Sequence, residues 1–120
     1  MKILLVDDDE WIRDSLSLFF EAEGCKLLTF ETAEEGMDAV EKQTYDIVIS
    51  DYKLPGMDGL EFLRRVKEKQ PKTSELLITA YANGEIEKEA KEIGVKDIIP
   101  KPFSSEDFET SLSRIIENSA

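Results

Sequence analysis

The chain has 120 residues, enough for one domain with a real core. Its formal net charge of −12 opposes direct binding to nucleic acid or to an anionic membrane, because phosphates demand a basic face. Zero His and one Cys exclude the usual zinc ligand sets and an internal disulfide and fit a reducing cytoplasm, while no run is apolar enough to span a bilayer or to serve as a signal peptide.

The first segment, Lys2–Val6, is a continuous apolar run, the pattern of a strand buried on both faces. Residues 10–23 have helical spacing, with Ile12, Leu16, Phe19 and Phe20 on one stripe. Asp9 suits the N-cap of that helix, and Gly24 stands just past its end, where a left-handed residue is common. Lys26–Phe30 is the second strand. Thr32 with Glu35 makes a capping box for a helix that buries Ala33, Gly36, Met37 and Val40. Ile47–Asp51 is the third strand. The Pro55-Gly56 and Asp58-Gly59 pairs mark a shaped loop, and Asp58 with Glu61 caps a helix burying Leu60, Leu63 and Val66. After Pro71 comes a strand ending at Thr79. Ile86, Ala90 and Ile93 give a short, sparsely apolar helix, expected to be the loosest element. The last strand is read over 97–101, and Ser104 or Ser105 caps a final helix bearing Phe108, Leu112, Ile115 and Ile116.

Strand and helix thus alternate five times, with no linker, repeat or low-complexity tract. Right-handed crossovers then give a parallel sheet covered on both faces. The expected architecture is a doubly wound α/β fold, flavodoxin-like, with strand order 2-1-3-4-5. Residues 1–120 are read as a single domain.

Four apolar runs end in polar residues: Asp7-Asp8, Asp51, Thr79 and Lys101. In a parallel sheet those ends share one edge, the edge where such sheets bind ligands. Asp7, Asp8 and Asp51 would crowd three carboxylates together, a natural place for a hard divalent cation such as Mg²⁺. Asp51 is the candidate nucleophile, since a carboxylate can attack phosphorus and form an aspartyl phosphate. Thr79 can donate to one phosphoryl oxygen and Lys101 can pair with another. Prolines flank Lys101 on both sides, and a cis Lys101–Pro102 bond would aim its side chain. Gly56 and Gly59 form no phosphate-cradling motif. Trp11 reads equally as a partner contact or as packing on its own helix, and Cys25 as a small core residue.

The motifs Val6-Asp7-Asp8, Ser50-Asp51, Leu54-Pro55-Gly56-Met57-Asp58-Gly59, Thr79-Ala80 and Lys101-Pro102-Phe103 resemble, in order and spacing, the receiver domain of bacterial two-component response regulators. The resemblance covers essentially the whole chain. It implies that Asp51 is the phosphoacceptor, that Asp8 binds Mg²⁺ directly with Asp7 assisting through water, and that the Lys53 backbone carbonyl is a further metal ligand. Thr79 would report the phosphoryl group and Lys101 would contact it. The donor would be a sensor histidine kinase or a histidine phosphotransfer protein, and the output a downstream protein or effector domain. It implies a cytoplasmic signalling receiver rather than an enzyme of substrate turnover, one that catalyses its own phosphorylation and slow dephosphorylation. Whether phosphorylation makes a dimer, and whether the chain stands alone or belongs to a longer regulator, stay open.

One position departs from the pattern: Ile98 stands where many receivers carry Tyr or Phe, so an aromatic rotamer switch is unavailable there. Lys53 and Tyr81 occupy positions that flank the phosphoryl group, where substitution is expected to change phosphate lifetime. The stretch 77–81 is similar to receivers attached to ATP-driven transcription activators. Two other readings compete. An Mg²⁺-dependent phosphohydrolase of the haloacid dehalogenase type would place a second Asp two residues after the nucleophile, where Lys53 stands. A degenerate interaction domain would not need Asp7, Asp8, Asp51, Thr79 and Lys101 together.

Overall fold

The computed structural model describes residues 1–119, with side chains as far as Ile115. Among the described residues the order is β1 (Lys2–Val6), α1 (Glu10–Ala22), β2 (Lys26–Phe30), α2 (Ala33–Lys42), β3 (Ile47–Asp51), α3 (Gly59–Lys69), β4 (Ser74–Thr79), α4 (Gly84–Ile93), β5 (Asp97–Pro100) and α5 (Ser105–Ser119). The five strands form one parallel sheet in the order β2-β1-β3-β4-β5, as expected for the doubly wound fold. The last strand stops at Pro100, one residue short of the expected end, and α1 ends at Ala22. The Ile116 side chain, expected on the stripe of α5, lies outside the described residues.

Two apolar layers enclose the sheet. On one face Leu4, Val6, Val48 and Leu77 pack against α2, α3 and α4 through Val40, Leu60, Phe62, Leu63, Val66 and Ala90. On the other, Ile3, Leu5, Ile49, Leu76, Ile78 and Ile99 pack against α1 and α5 through Ile12, Leu16, Phe20, Phe108 and Ile115. Strand alternation produces this split, because successive side chains leave a sheet on opposite faces. Phe62 is completely buried although it lies outside the stripe read from the sequence.

Local chemistry starts and stops the helices. Asp9 accepts from Trp11 N–H at 2.9 Å, Thr32 from Glu35 N–H at 3.2 Å, and Asp58 from Glu61 N–H at 2.9 Å. Ser104 and Asp107 form a reciprocal cap, with Ser104 N–H donating to Asp107 at 2.9 Å and Asp107 N–H to Ser104 Oγ at 3.2 Å. Gly94 closes α4 at φ +100°, a conformation that suits glycine. No helix among the described residues is long and apolar enough to cross a membrane.

At the amino edge of the sheet one side chain joins four segments. Gln70 Nε2 donates to the carbonyls of Val40 and Gln43, each at 2.9 Å. Its Oε1 accepts from Tyr45 N–H at 3.0 Å and lies 2.9 Å from the Thr73 hydroxyl, which also reaches Tyr45 O at 2.8 Å.

Candidate functional site

The carboxyl edge of the sheet holds the site. Val6 pairs in register with Ser50, so Asp7 and Asp51 emerge side by side from β1 and β3. Asp51 is opposite Ile78 and Thr79 is opposite Pro100, which places Thr79 and Lys101 along the same edge on the next two strands. Lys101 N–H donates to Thr79 O at 2.8 Å, extending the ladder one step past the end of β5.

Asp7 is held at three points. Its N–H donates to Phe30 O at 3.1 Å, its Oδ1 accepts from Asp9 N–H at 2.9 Å, and its carbonyl accepts from the Arg13 guanidinium at 2.8 Å. Asp7 and Asp51 are both buried, whereas Asp8 is exposed. Oxygens from Asp7, Asp8 and Asp51 lie within 4.8 Å of one another. Lys101 Nζ stands 3.2 Å from Asp7 Oδ2 and 3.3 Å from Asp51 Oδ1. The Lys101–Pro102 peptide is cis.

The electrostatics follow from this crowding. Burial, then the neighbouring Asp7 carboxylate, push Asp51 up to about 6 against the pull of Lys101. Burial likewise raises Asp7, opposed by its bond from Asp9 N–H and by Lys101. Burial works against the charge of Lys101, but the two aspartates outweigh it and hold that ammonium above its ordinary value. One ammonium against three clustered carboxylates leaves an excess of negative charge on hard oxygen ligands. That donor set fits a divalent cation, with Asp8 open to solvent and free to bind it directly.

Two residues, Gly59 and Arg13, shape the edge in ways the sequence did not show. A Cβ built on Gly59 would fall 2.0 Å from the Asp51 carbonyl oxygen, so only glycine lets the start of α3 lie against the backbone of the candidate nucleophile. Gly59 reads in the sequence as half of a turn signal; its role as a close approach shows only once α3 is docked. Arg13 sits in the helical pattern as an ordinary polar residue, yet its side chain is 14% exposed and reaches back to Asp7.

Thr79 is fully buried, and its hydroxyl oxygen accepts from Tyr81 N–H at 2.8 Å. The exposed Lys53 side chain lies over the Tyr81 ring, with Nζ 5.3 Å from its centroid. Trp11 is 72% exposed. With Leu18, Phe19, Phe103 and Phe108 it lines an apolar groove between α1 and the start of α5. Cys25 is half-buried against the α1–α5 layer, as expected for a small core residue.

A sequence model described as the response regulator receiver domain matches residues 3–113. The chain belongs to the response regulator receiver domain family. The receiver is similar to sporulation initiation phosphotransferase F of Bacillus subtilis, at 33% identity over 96% of this chain and 93% of that one. It is also similar to the DNA-binding transcriptional regulator NtrC of Klebsiella pneumoniae, at 33% identity over 95% of this chain but 24% of that protein. Against NtrC and the FixJ regulator of Bradyrhizobium diazoefficiens, the receiver spans only about a quarter and a half of the relative's length. Among solved structures, a receiver domain from Methanospirillum hungatei superposes with a TM-score of 0.93 at 30% identity, covering 98% of this chain and 94% of that one.

Proposed function

We propose that this receiver is a phosphorylation-controlled switch that takes a phosphoryl group onto Asp51 from a phosphohistidine on another protein. The observation that carries the reading is the convergence of Asp7, Asp8, Asp51 and Lys101 in one small volume at the carboxyl edge. An Asp51 carboxylate oxygen attacks phosphorus; the new P–O bond forms as the P–N bond to the donor imidazole breaks and the imidazole departs. Asp7, Asp8, Asp51 and the Lys53 carbonyl would hold Mg²⁺, which when bound neutralises phosphoryl oxygens and fixes their geometry. Lys101, already 3.3 Å from Asp51, supplies a second positive charge to those oxygens. Thr79 can donate its hydroxyl hydrogen to the phosphoryl group while its oxygen keeps the bond from Tyr81 N–H, so a movement of Thr79 toward that group draws the β4–α4 loop with it. The same residues catalyse slow hydrolysis of the acyl phosphate, which makes the protein a self-resetting signal carrier rather than a turnover enzyme.

The test is intact mass after incubation with acetyl phosphate, with and without Mg²⁺, for wild type and Asp51→Asn. One phosphoryl adduct that requires Mg²⁺ and is absent from Asp51→Asn is expected. No adduct in the wild type, with no phosphate release to indicate fast hydrolysis, would leave a non-phosphorylated interaction domain as the better reading.

The donor protein has to cover this edge. The groove bearing Trp11 and Phe103 begins two residues after Asp9 and two after Lys101, so it lies beside the phosphoacceptor. Trp11→Ala is therefore expected to slow transfer from a phosphohistidine protein about tenfold, the range for losing one aromatic anchor, while labelling by acetyl phosphate is unchanged. Equal slowing with both donors would place Trp11 in the chemistry instead of the docking.

A further inference from the structure

Glu75 has no part in the site described above, and its surroundings do not suit a charge. It stands near the start of β4, in register with Val48 of β3, and is 0% exposed. Alternation puts it with Leu77 on the face covered by α3 and α4. The apolar layer on that face holds Val48, Val66 and Ala90, with Ile93, Val95 and Ile98 packed against it. Neither carboxylate oxygen has a hydrogen-bond partner, and among the described residues no cation forms an ion pair with it. An ionised carboxylate is poorly tolerated in such a place, and burial pushes Glu75 up to about 8.

The one charge that pulls the other way is Lys67 of α3. Its ammonium donates to Thr73 O at 2.7 Å, at the mouth of β4. Its stem passes within 3.8 Å of where a side chain on Gly94 would begin, so it bridges the carboxyl ends of α3 and α4. The inner positions of α4, Ile86 and Ala90, are apolar, and β3 contributes Val48. Just before β5, Lys96 offers its backbone N–H to Glu75 O at 2.8 Å. Other charges line outer clefts: Arg64, Glu68, Glu89 and Glu92 between α3 and α4, and Glu87, Lys91, Lys96 and Asp97 between α4 and β5.

We propose that Glu75 is a proton-sensitive latch on α4: as a neutral acid it leaves Lys67 on Thr73 and the α3–α4–β5 seam closed, and once ionised it draws Lys67 inward and loosens that seam. The proposal does not depend on phosphoryl transfer, and Asp51→Asn is expected to keep it. The sign is fixed by linkage. The folded domain binds this proton more tightly than the unfolded chain, so the stability it contributes is complete below the ordinary value of 4.5 and is lost as pH rises through about 8.

The experiment follows thermal unfolding between pH 6 and 9 for wild type, Glu75→Gln and Glu75→Leu, with amide exchange corrected for intrinsic rates at both ends. Relative to Glu75→Gln, wild-type Tm is expected to fall by roughly 5–10 °C across this range. Protection should drop about tenfold in peptides spanning 84–97 but not in β1 or β2. Glu75→Leu should be as flat with pH as Glu75→Gln, and covers the case in which the amide does not fold. Lys67→Met should move the wild-type transition to higher pH, which a purely structural lysine would not do. Parallel curves for wild type and both Glu75 variants, or a loss of protection spread evenly over the whole sheet, would overturn the latch.

Discussion

Asp51 is caught between two demands. The proposed transfer needs it as an ionised nucleophile, yet burial and the neighbouring Asp7 raise it to about 6. A carboxylate raised in the folded state contributes stability below its ordinary value of 3.8, and that contribution is lost as pH climbs through about 6. At pH 7.5 the group is charged in both states, and the folded domain alone bears the crowding. In divalent-free buffer Asp51→Asn is therefore expected to stabilise the domain at pH 7.5 by about 1–3 kcal/mol, with the gain vanishing toward pH 4. Urea unfolding at the two pH values measures it, and a destabilised variant at pH 7.5 would contradict the charge argument. Mg²⁺ should stabilise wild type more than the variant, because the carboxylate it would meet is gone. At this scale Asp7, Asp8, Asp51 and Lys101 were legible in the sequence because each ends an apolar run at a fixed place. Glu75 was not, because a carboxylate inside an apolar run looks like any solvent-facing strand residue until the helices cover it.

Helix α3 is positioned by what its first residue lacks. A methyl group on Gly59 would sit 2.0 Å from Asp51 O, against backbone that cannot swing away. Gly59→Ala is expected to cost about 2–4 kcal/mol, as in overpacked cores with a strained backbone, and to slow labelling of Asp51 by displacing its peptide. Gly84→Ala is the control: nothing lies within 4 Å of its Cβ, its φ is not in the left-handed region, and it opens α4. That change should stabilise by about 0.4–1 kcal/mol. If Gly59→Ala were as well tolerated as Gly84→Ala, the close approach would not matter to the site. The caps at Asp9, Thr32 and Asp58 were readable from the sequence because capping is local chemistry within four residues. The burial of Phe62 was not, since it depends on how wide a stripe the sheet and α2 together cover.

The order of strands follows from alternation and handedness, which is why the sheet could be drawn from sequence before any contact was known. How the whole domain responds to a phosphoryl group is less local. Ile98 is half-buried in the layer beneath α4 and offers no ring to rotate. The change is instead expected to run from Thr79 through its Tyr81 bond into α4. Backbone amide shifts on forming a phosphoryl-analogue complex should therefore concentrate across residues 80–95; an unchanged segment there would refute this route. The opposite end of the molecule is cross-braced. Gln70 clasps the end of α2, the entry to β3 and the entry to β4 from its own place at the end of α3. Those bonds rivet the base of the domain at the edge of the sheet away from the acidic cluster. A fusion partner or surface tether attached near that rivet is therefore expected to leave Asp51 open to a phosphodonor, because it sits at the opposite edge of the sheet from the acidic cluster.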